Sequence, residues 1–165
     1  MKWTLVAGEL TLPLRRATHA QMDDVIRVVE IRNSAGLAEA WALRRRVFIE
    51  EQHVPEAIEM DADDTVATHV LALDGDLVVG CGRMVAHDDY VKIGRMAVIR
   101  ERRGEGIGRR VLESLMELAR QRGFRCAILH AQLTAEGFYL KQGYVPRGEV
   151  FEEAGIAHRL MDRTL

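Results

Sequence analysis

Cysteine is nearly absent: Cys81 and Cys126 are the only two in 165 residues. Each sits inside an apolar stretch, with no second Cys or His at metal-ligand spacing. That excludes a disulfide-built scaffold and a metal site. Both read as small buried residues in a reducing, cytoplasmic compartment. No apolar run reaches the ~18 residues needed to cross a bilayer, so no membrane partner is expected. Internal repeats, low-complexity tracts and linkers are missing too. Residues 1–21 lack the long apolar core and small-residue cleavage site of a secretory signal.

What remains is a chain that is 48% hydrophobic and has the length of one domain with one core. The expected division is a poorly ordered N-terminal extension, 1–22, and a folded domain, 23–165. A net charge of -2 hides an uneven distribution. Residues 91–125 hold ten Lys/Arg against four acids, a net of +6, leaving -8 on the rest. A local positive field suits a polyanionic ligand, although on charge alone a solvated helix face is the better account. No aromatic residues interleave with these arginines and no groove-reading motif accompanies them, so nucleic acid is not an expected partner.

Periodicity gives the elements. "DDVIRVVEIRN" (Asp23–Asn33) is β-branched and reads as a strand. Ser34 is placed to cap a helix in which Leu37, Ala40, Trp41, Arg44, Val47 and Phe48 recur at helical spacing. Pro55 ends it. "TVATHVLAL" and "LVVGCGRMV" flank Asp74-Gly75-Asp76, a strong hairpin signal. With "VKIGRMAVI" they predict an antiparallel meander. Ile107, Val111, Leu115 and Leu118 form one stripe of a helix that Gly123 ends. "FRCAILHAQ" is a fifth strand. "TAEGFYLKQG" is a short helix capped by Thr134, and two further strands close the chain. The order β-α-β-β-β-α-β-α-β-β predicts an α/β fold with a mostly antiparallel sheet, in which Val91–Gln132 is a parallel strand–helix–strand unit.

The densest signal is "IRERRGEGIGRRVLESL", Ile99–Leu115, with Gly104, Gly106 and Gly108 before the longest helix. A glycine turn at a helix start presents free N–H groups and the positive end of the helix, which together suit phosphate. A Rossmann G-x-G-x-x-G fails, because Arg109 stands at the third glycine place. A Walker A loop fails as well. The stretch fits R-x-x-G-x-G, with Arg103, Gly106 and Gly108 at the fixed places.

"RMAVIRERRGEGIGRRVLESL" resembles the Arg/Gln-x-x-Gly-x-Gly/Ala motif of the GNAT N-acetyltransferase superfamily. "FYLKQGY" (Phe138–Tyr144) is similar to its Phe-Tyr helix. "LRRRVFIEEQHVPEAIEMDADD" and "FEEAGIAHRLM" resemble the ElaA/YjcF-like branch, with Ala157 where that branch usually carries Pro. The resemblance implies a mixed, mostly antiparallel GNAT sheet flanked by helices, and an N-acetyltransferase domain over 23–165. It implies acetyl-CoA as co-substrate, no metal, and transfer to a primary amine of a small molecule or peptide. Exposed edge strands make a homodimer a reasonable expectation.

Carried over position by position, the resemblance places the pyrophosphate among the N–H groups of Arg103, Gly104, Glu105, Gly106, Ile107 and Gly108, with Arg109 and the other arginines as countercharge. Met96, Ala97 and Val98 would pair with the pantetheine arm, with the Val98 N–H polarising the thioester carbonyl. Gln132 stands where many relatives carry Asn. Tyr139 is the expected general acid. His158, Glu153, Glu51 and His130 are the candidates for the base. The acidic run 50–64 is either a solvated loop or an attractor for a cationic amine. A CoA-binding regulatory module without turnover is one alternative. Another acyltransferase is a second, because "LRRRVF" also resembles acyl-homoserine-lactone synthases.

Overall fold

A hairpin seeds the sheet. Strands β2 (Thr68–Asp74) and β3 (Leu77–Ala86) meet through a two-residue turn that pairs Asp74 with Leu77. Gly75 takes the positive φ, +56°, that such a turn demands. The computed structural model describes residues 26–165. Around the hairpin, β1 (Arg27–Glu30), β4 (Val91–Val98), β5 (Cys126–Gln132), β6 (Val145–Glu153) and β7 (Ile156–Thr164) complete one seven-stranded sheet. Its order is β1-β2-β3-β4-β5-β7-β6. Every neighbouring pair is antiparallel except β4 with β5. The expected order is present, with one short α-helical turn added between the first helix and β2. The expected N-terminal extension and the first residues of the first expected strand lie outside the described residues.

Helix α1 (Ser34–Arg44) is capped by Asn33, not by Ser34. Asn33 is extended (φ -148°, ψ 166°), so its Oδ1 can turn back and accept from the Gly36 N–H at 2.8 Å. Ser34 is already helical. The helix continues as a π-helical stretch, Arg45–Glu51, which ends before Pro55. Val54 then donates to the Phe48 carbonyl at 2.9 Å. A short helical turn, α2 (Glu56–Glu59), follows.

Helix α3 (Ile107–Gln121) returns the chain from β4 to β5 and buries Ile107, Val111, Leu112, Leu115, Met116 and Ala119. That is the stripe the spacing predicts, except that Leu118 is only half-buried. Gly82 of β3 lies beneath this helix. A Cβ there would meet Val111 Cγ1 at 2.8 Å and Leu115 Cδ1 at 2.9 Å. Removing that one carbon lets helix and sheet approach closely. Gly123 ends α3 with φ +87°, as expected. Helix α4 (Glu136–Lys141) departs from expectation: a 3-10 turn, Leu133–Ala135, leads into it, so Thr134 is already inside the turn and caps nothing. Cys81 is buried, while Cys126 is only half-buried. The core lies between α3 and the sheet, with Val70, Val79, Val91, Ile93, Leu129 and Met161 fully buried.

Candidate active site

Strands β4 and β5 are partners for only three rungs, Val91–Ala127, Lys92–Ile128 and Ile93–Leu129. Beyond these, β4 runs on along β3 to Val98, and β5 runs on along β7 to Gln132. The strands part, and a cavity of about 680 Å³ occupies the opening. Its walls include Met96, Ala97, Val98, Arg103, Gln132, Tyr139, Glu153 and His158. A parallel sheet that splits in this way exposes strand backbone that an extended ligand can use as a partner.

The geometry of β4 orients that backbone. Cys81 faces Ala97 and Arg83 faces Gly94, so Arg95 and Met96 together oppose the single Gly82. This bulge puts Arg95 at φ +52°, a left-handed conformation that costs a non-glycine residue about 1–3 kcal/mol. The Arg95 guanidinium is held in place: Nε donates to the Glu59 carbonyl at 3.1 Å and Nη2 to Ile58 O and Asp61 Oδ2, each at 2.8 Å. Further along, Ile99 donates to Val79 O at 3.0 Å. In extended chain successive N–H groups alternate sides, so the Val98 N–H points away from β3 and into the opening. The Val98 carbonyl points the same way and accepts from Arg103 Nε at 3.0 Å.

The three glycines differ in purpose. Gly104 and Gly106 have φ +87° and +78°, and a Cβ on either would meet nothing within 4 Å. They are glycine for backbone reasons, beside open space. Gly108 lies inside α3, 3.7 Å in Cβ terms from Phe138 and 3.8 Å from Val98. Gly106 is the N-cap of α3 and supplies no side-chain acceptor, so the first N–H groups of the helix stay available. Ile107 is buried and anchors the turn. The expected amide set is one shorter than the motif suggests, because the Arg103 N–H is directed at Arg100 O, 3.4 Å away.

The arginines are mostly committed, which corrects the expected positive field. Arg103 makes a two-pronged ion pair with Glu51, Nη1–Oε1 2.5 Å and Nη2–Oε2 2.7 Å. Arg102 pairs with Asp74 and Glu105. Arg109 is exposed and pairs with Glu113 one turn on. Glu51 was a candidate base, but its carboxylate instead holds the glycine turn to the π-helical stretch. The Arg103 hydrogen bond holds that carboxyl below its usual range, outweighing partial burial. A carboxylate so engaged is a poor proton acceptor.

The acidic run 50–64 divides: Glu50, Glu51, Glu56 and Asp63 stay exposed, while Glu59, Asp61 and Asp64 turn inward to arginines. Arg44, 1% exposed, pairs with Glu59 at 2.5 Å and Asp64 at 2.8 Å. Arg83 pairs with Asp64 at 2.5 Å and Asp61 at 2.6 Å. Trp41 Nε1 donates to Asp64 at 3.0 Å. Burial opposes the charge on Asp64, but the hydrogen bonds from Arg44 and Arg83 prevail and hold its carboxyl below the ordinary range; Asp61 behaves alike through Arg83 and Arg95. Sequence reasoning missed this network. Its signal was Arg44 itself, a charge within an apolar helical stripe, upstream of a run of acids.

Tyr139, on α4, is 9% exposed. Burial pushes its hydroxyl up to about 12, so it stays protonated at neutral pH. Gln132 Nε2 donates to Gln52 Oε1 at 2.9 Å, a wall residue absent from the expectations. On the same sheet face, His130 Nδ1 lies 2.8 Å from Glu153 Oε2, and His158 Nδ1 lies 2.7 Å from Ile156 O. Burial disfavours the Glu153 charge, but the His130 hydrogen bond with the nearby His158 and Lys92 charges outweighs it and holds the carboxyl low. Among the described residues no cluster of three or more potential metal ligands occurs, and no helix is long and apolar enough to cross a membrane.

A split β4–β5 pair, a glycine turn opening the intervening helix and a buried tyrosine beside the split define the acyl-CoA N-acyltransferase class of fold. The chain belongs to the GNAT family: the acetyltransferase (GNAT) domain model matches residues 25–165. It is 35% identical to the uncharacterized N-acetyltransferase YjcF of Bacillus subtilis (strain 168) over 137 residues, 82% of this chain and 98% of that protein. The crystal structure of Escherichia coli ElaA superposes with a TM-score of 0.77 at 29% identity, covering 84% of this chain and 99% of that one. An acyl-CoA N-acyltransferase from Pseudomonas aeruginosa gives 0.75 at 25% identity, with 84% and 99% covered. These likenesses agree with the expected ElaA/YjcF-like branch.

Proposed function

We propose that this protein transfers an acetyl group from acetyl-CoA to a primary amine by direct attack, with both substrates bound together. One observation carries this: the opening between β4 and β5 combines unpaired strand backbone, uncapped helix amides and a protonated, buried tyrosine. The residues fit a diphosphate-bearing thioester. The N–H groups from Gly104 to Gly108 would hold the pyrophosphate, where open space surrounds Gly104 and Gly106. Met96, Ala97 and Val98 would flank the pantetheine arm, with Gln132 on the facing strand. The Val98 N–H would polarise the thioester carbonyl.

Bound acetyl-CoA supplies the activated acyl group; the protein's contribution is positioning and proton handling. Tyr139 would give its phenolic proton to the departing sulfur. The amine's proton would leave toward the face that carries His130, Glu153 and His158. Residues 23–165 form the catalytic unit in this scheme.

The test is acetyl-CoA consumption with a defined set of primary amines: L-amino acids, putrescine, spermidine, tryptamine, glucosamine and a lysine-containing peptide. Turnover of at least one, with calorimetric binding of acetyl-CoA, is expected. Binding without turnover of any would favour a CoA-binding regulatory module. No association at millimolar acetyl-CoA would overturn the enzymatic reading. Because Glu59 and Asp61 on the cavity wall are each paired with arginines, cationic amines should gain no systematic rate advantage over neutral ones.

A further inference from the structure

The vertex of the β4–β5 opening is occupied by one side chain. His130 is the first β5 residue past the last rung, Ile93–Leu129. Parallel register would place Gly94 opposite it, yet Gly94 belongs to no such rung. A Cβ on Gly94 would meet nothing within 4 Å, so the space across from the imidazole is open. Both residues line the cavity.

The imidazole is fixed in that space. Its Nδ1 lies 2.8 Å from Glu153 Oε2. A carboxylate only accepts, so the Nδ1 hydrogen lies on the ring and Nε2 keeps its lone pair in the neutral form. The Phe151 ring meets the imidazole edge-on, 4.9 Å between centroids at 78°. Imidazole, orienting carboxylate and free Nε2 form the base half of the arrangement used by hydrolytic triads. His158 is different: its Nδ1 is turned to the Ile156 backbone carbonyl, so no carboxylate is hydrogen-bonded to its ring.

We infer that His130 is the general base of the transfer, with Glu153 its positioning residue. This rests on the acetyl-transfer reading given above. The neutral amine nitrogen attacks the thioester carbonyl carbon. A C–N bond forms, the C–S bond breaks, and the nitrogen loses one proton to His130 Nε2. Tyr139 supplies the proton that the sulfur gains. The imidazolium then releases its proton to solvent, and the tyrosine phenolate takes one back. The net change is amine plus thioester to amide plus thiol, with no metal or redox partner. The titratable and charged groups nearest His130 on its face are Lys92 of β4, Glu153 of β6 and His158 of β7, with Arg147 and Asp162 paired to each other; Arg83 of β3, Arg95 of β4, Glu59, Asp61, Asp63 and Arg103 line the same cavity.

Two measurements test it. With the most active amine of the set, His130→Gln should lower kcat about 100-fold or more, the usual size of a general-base contribution, while acetyl-CoA binding by calorimetry stays within about two-fold of wild type. Glu153→Gln should move the acidic limb of the kcat/KM profile to lower pH, because the imidazolium loses its carboxylate partner. Glu153→Asp should restore part of the shift. A purely structural Glu153 would lower activity without moving the limb. An unchanged kcat in His130→Gln, or an acidic limb that stays in place in Glu153→Gln, overturns the proposal.

A third measurement needs no acceptor: nitrogen-15 NMR of the full chain with CoA should show neutral His130 as the Nδ1–H tautomer. The Nε2–H tautomer in wild type would overturn the inference even if every amine failed. Failure of every amine with the Nδ1–H tautomer present would count against the acetyl-transfer reading and support the dyad's geometry.

Discussion

Tyr139 shows how burial prepares a single residue for one task. With its hydroxyl held near 12, the side chain has a proton to give at any physiological pH. In the proposed transfer the departing sulfur takes that proton. Tyr139→Phe removes the donor and keeps the ring packed against Phe138, 4.9 Å away, so folding should survive. We expect kcat to fall about ten-fold or more, within the usual range for an acid catalyst. Steady-state kinetics with a pre-steady-state check that chemistry limits turnover would measure it; an unchanged kcat would remove the role. Gly106 works through the backbone instead. Gly106→Ala forces a Cβ into the left-handed region at φ +78°, a strain of about 1–2 kcal/mol. The strain falls on the N-cap of α3, so acetyl-CoA affinity should weaken along with thermal stability, read by calorimetry and a melt.

At the scale of elements, the position of α3 on the sheet depends on what β3 leaves out. Gly82 has no room for another carbon: Met96 Sδ and Val111 Cγ1 would each lie 2.8 Å from it. Val111 is β-branched and cannot swing aside. Gly82→Ala should lift α3 from β3 and cost about 1–3 kcal/mol, the ordinary penalty of overpacking. Met96 stands in the β4 bulge, so the same change should disturb the strand that borders the cavity. A denaturant melt reports the first effect and the KM for acetyl-CoA the second. The helix and its glycine turn were readable from spacing alone, because an amphipathic period of 3.6 and a glycine pair are local signals. The bulge at Arg95 was not. It depends on Glu59, Ile58 and Asp61, residues thirty-four or more positions away, and no local pattern announces such a contact.

For the whole molecule, the buried ion network ties the segment after α1 to the sheet. Arg44 of α1, Arg83 of β3 and Asp64 meet where almost no water reaches. Asp64→Asn would leave two guanidinium groups short of a buried countercharge, which typically costs about 3–5 kcal/mol. The Asp64 carboxyl is depressed in the fold, so its stabilisation is present above the unfolded value of about 4 and disappears as pH falls through the lower folded value. Chemical denaturation at neutral pH against pH 3 should therefore show a smaller gap between wild type and Asp64→Asn in acid. An equal gap at both would separate the network from acid stability.

Strand and helix order, the hairpin at Gly75, the stripe of α3 and the glycine turn follow from sequence, because each is fixed by interactions a few residues apart. Met96, Ala97, Val98 and Tyr139, which line one cavity, stood out for the same reason, as parts of short motifs. Cap identity at Asn33, the uncapped start of α4 and the fate of the acidic run were not. The last is the clearest case: seven acids between Glu50 and Asp64 read as a surface, and folding turned three of them, Glu59, Asp61 and Asp64, toward Arg44, Arg83 and Arg95. Only tertiary structure decided which strands part, which carboxylate meets which imidazole, and which arginines are committed to carboxylates. Those outcomes rest on long-range charge pairing in a low-dielectric interior, where the sign of a residue is local but its partner is chosen by the fold.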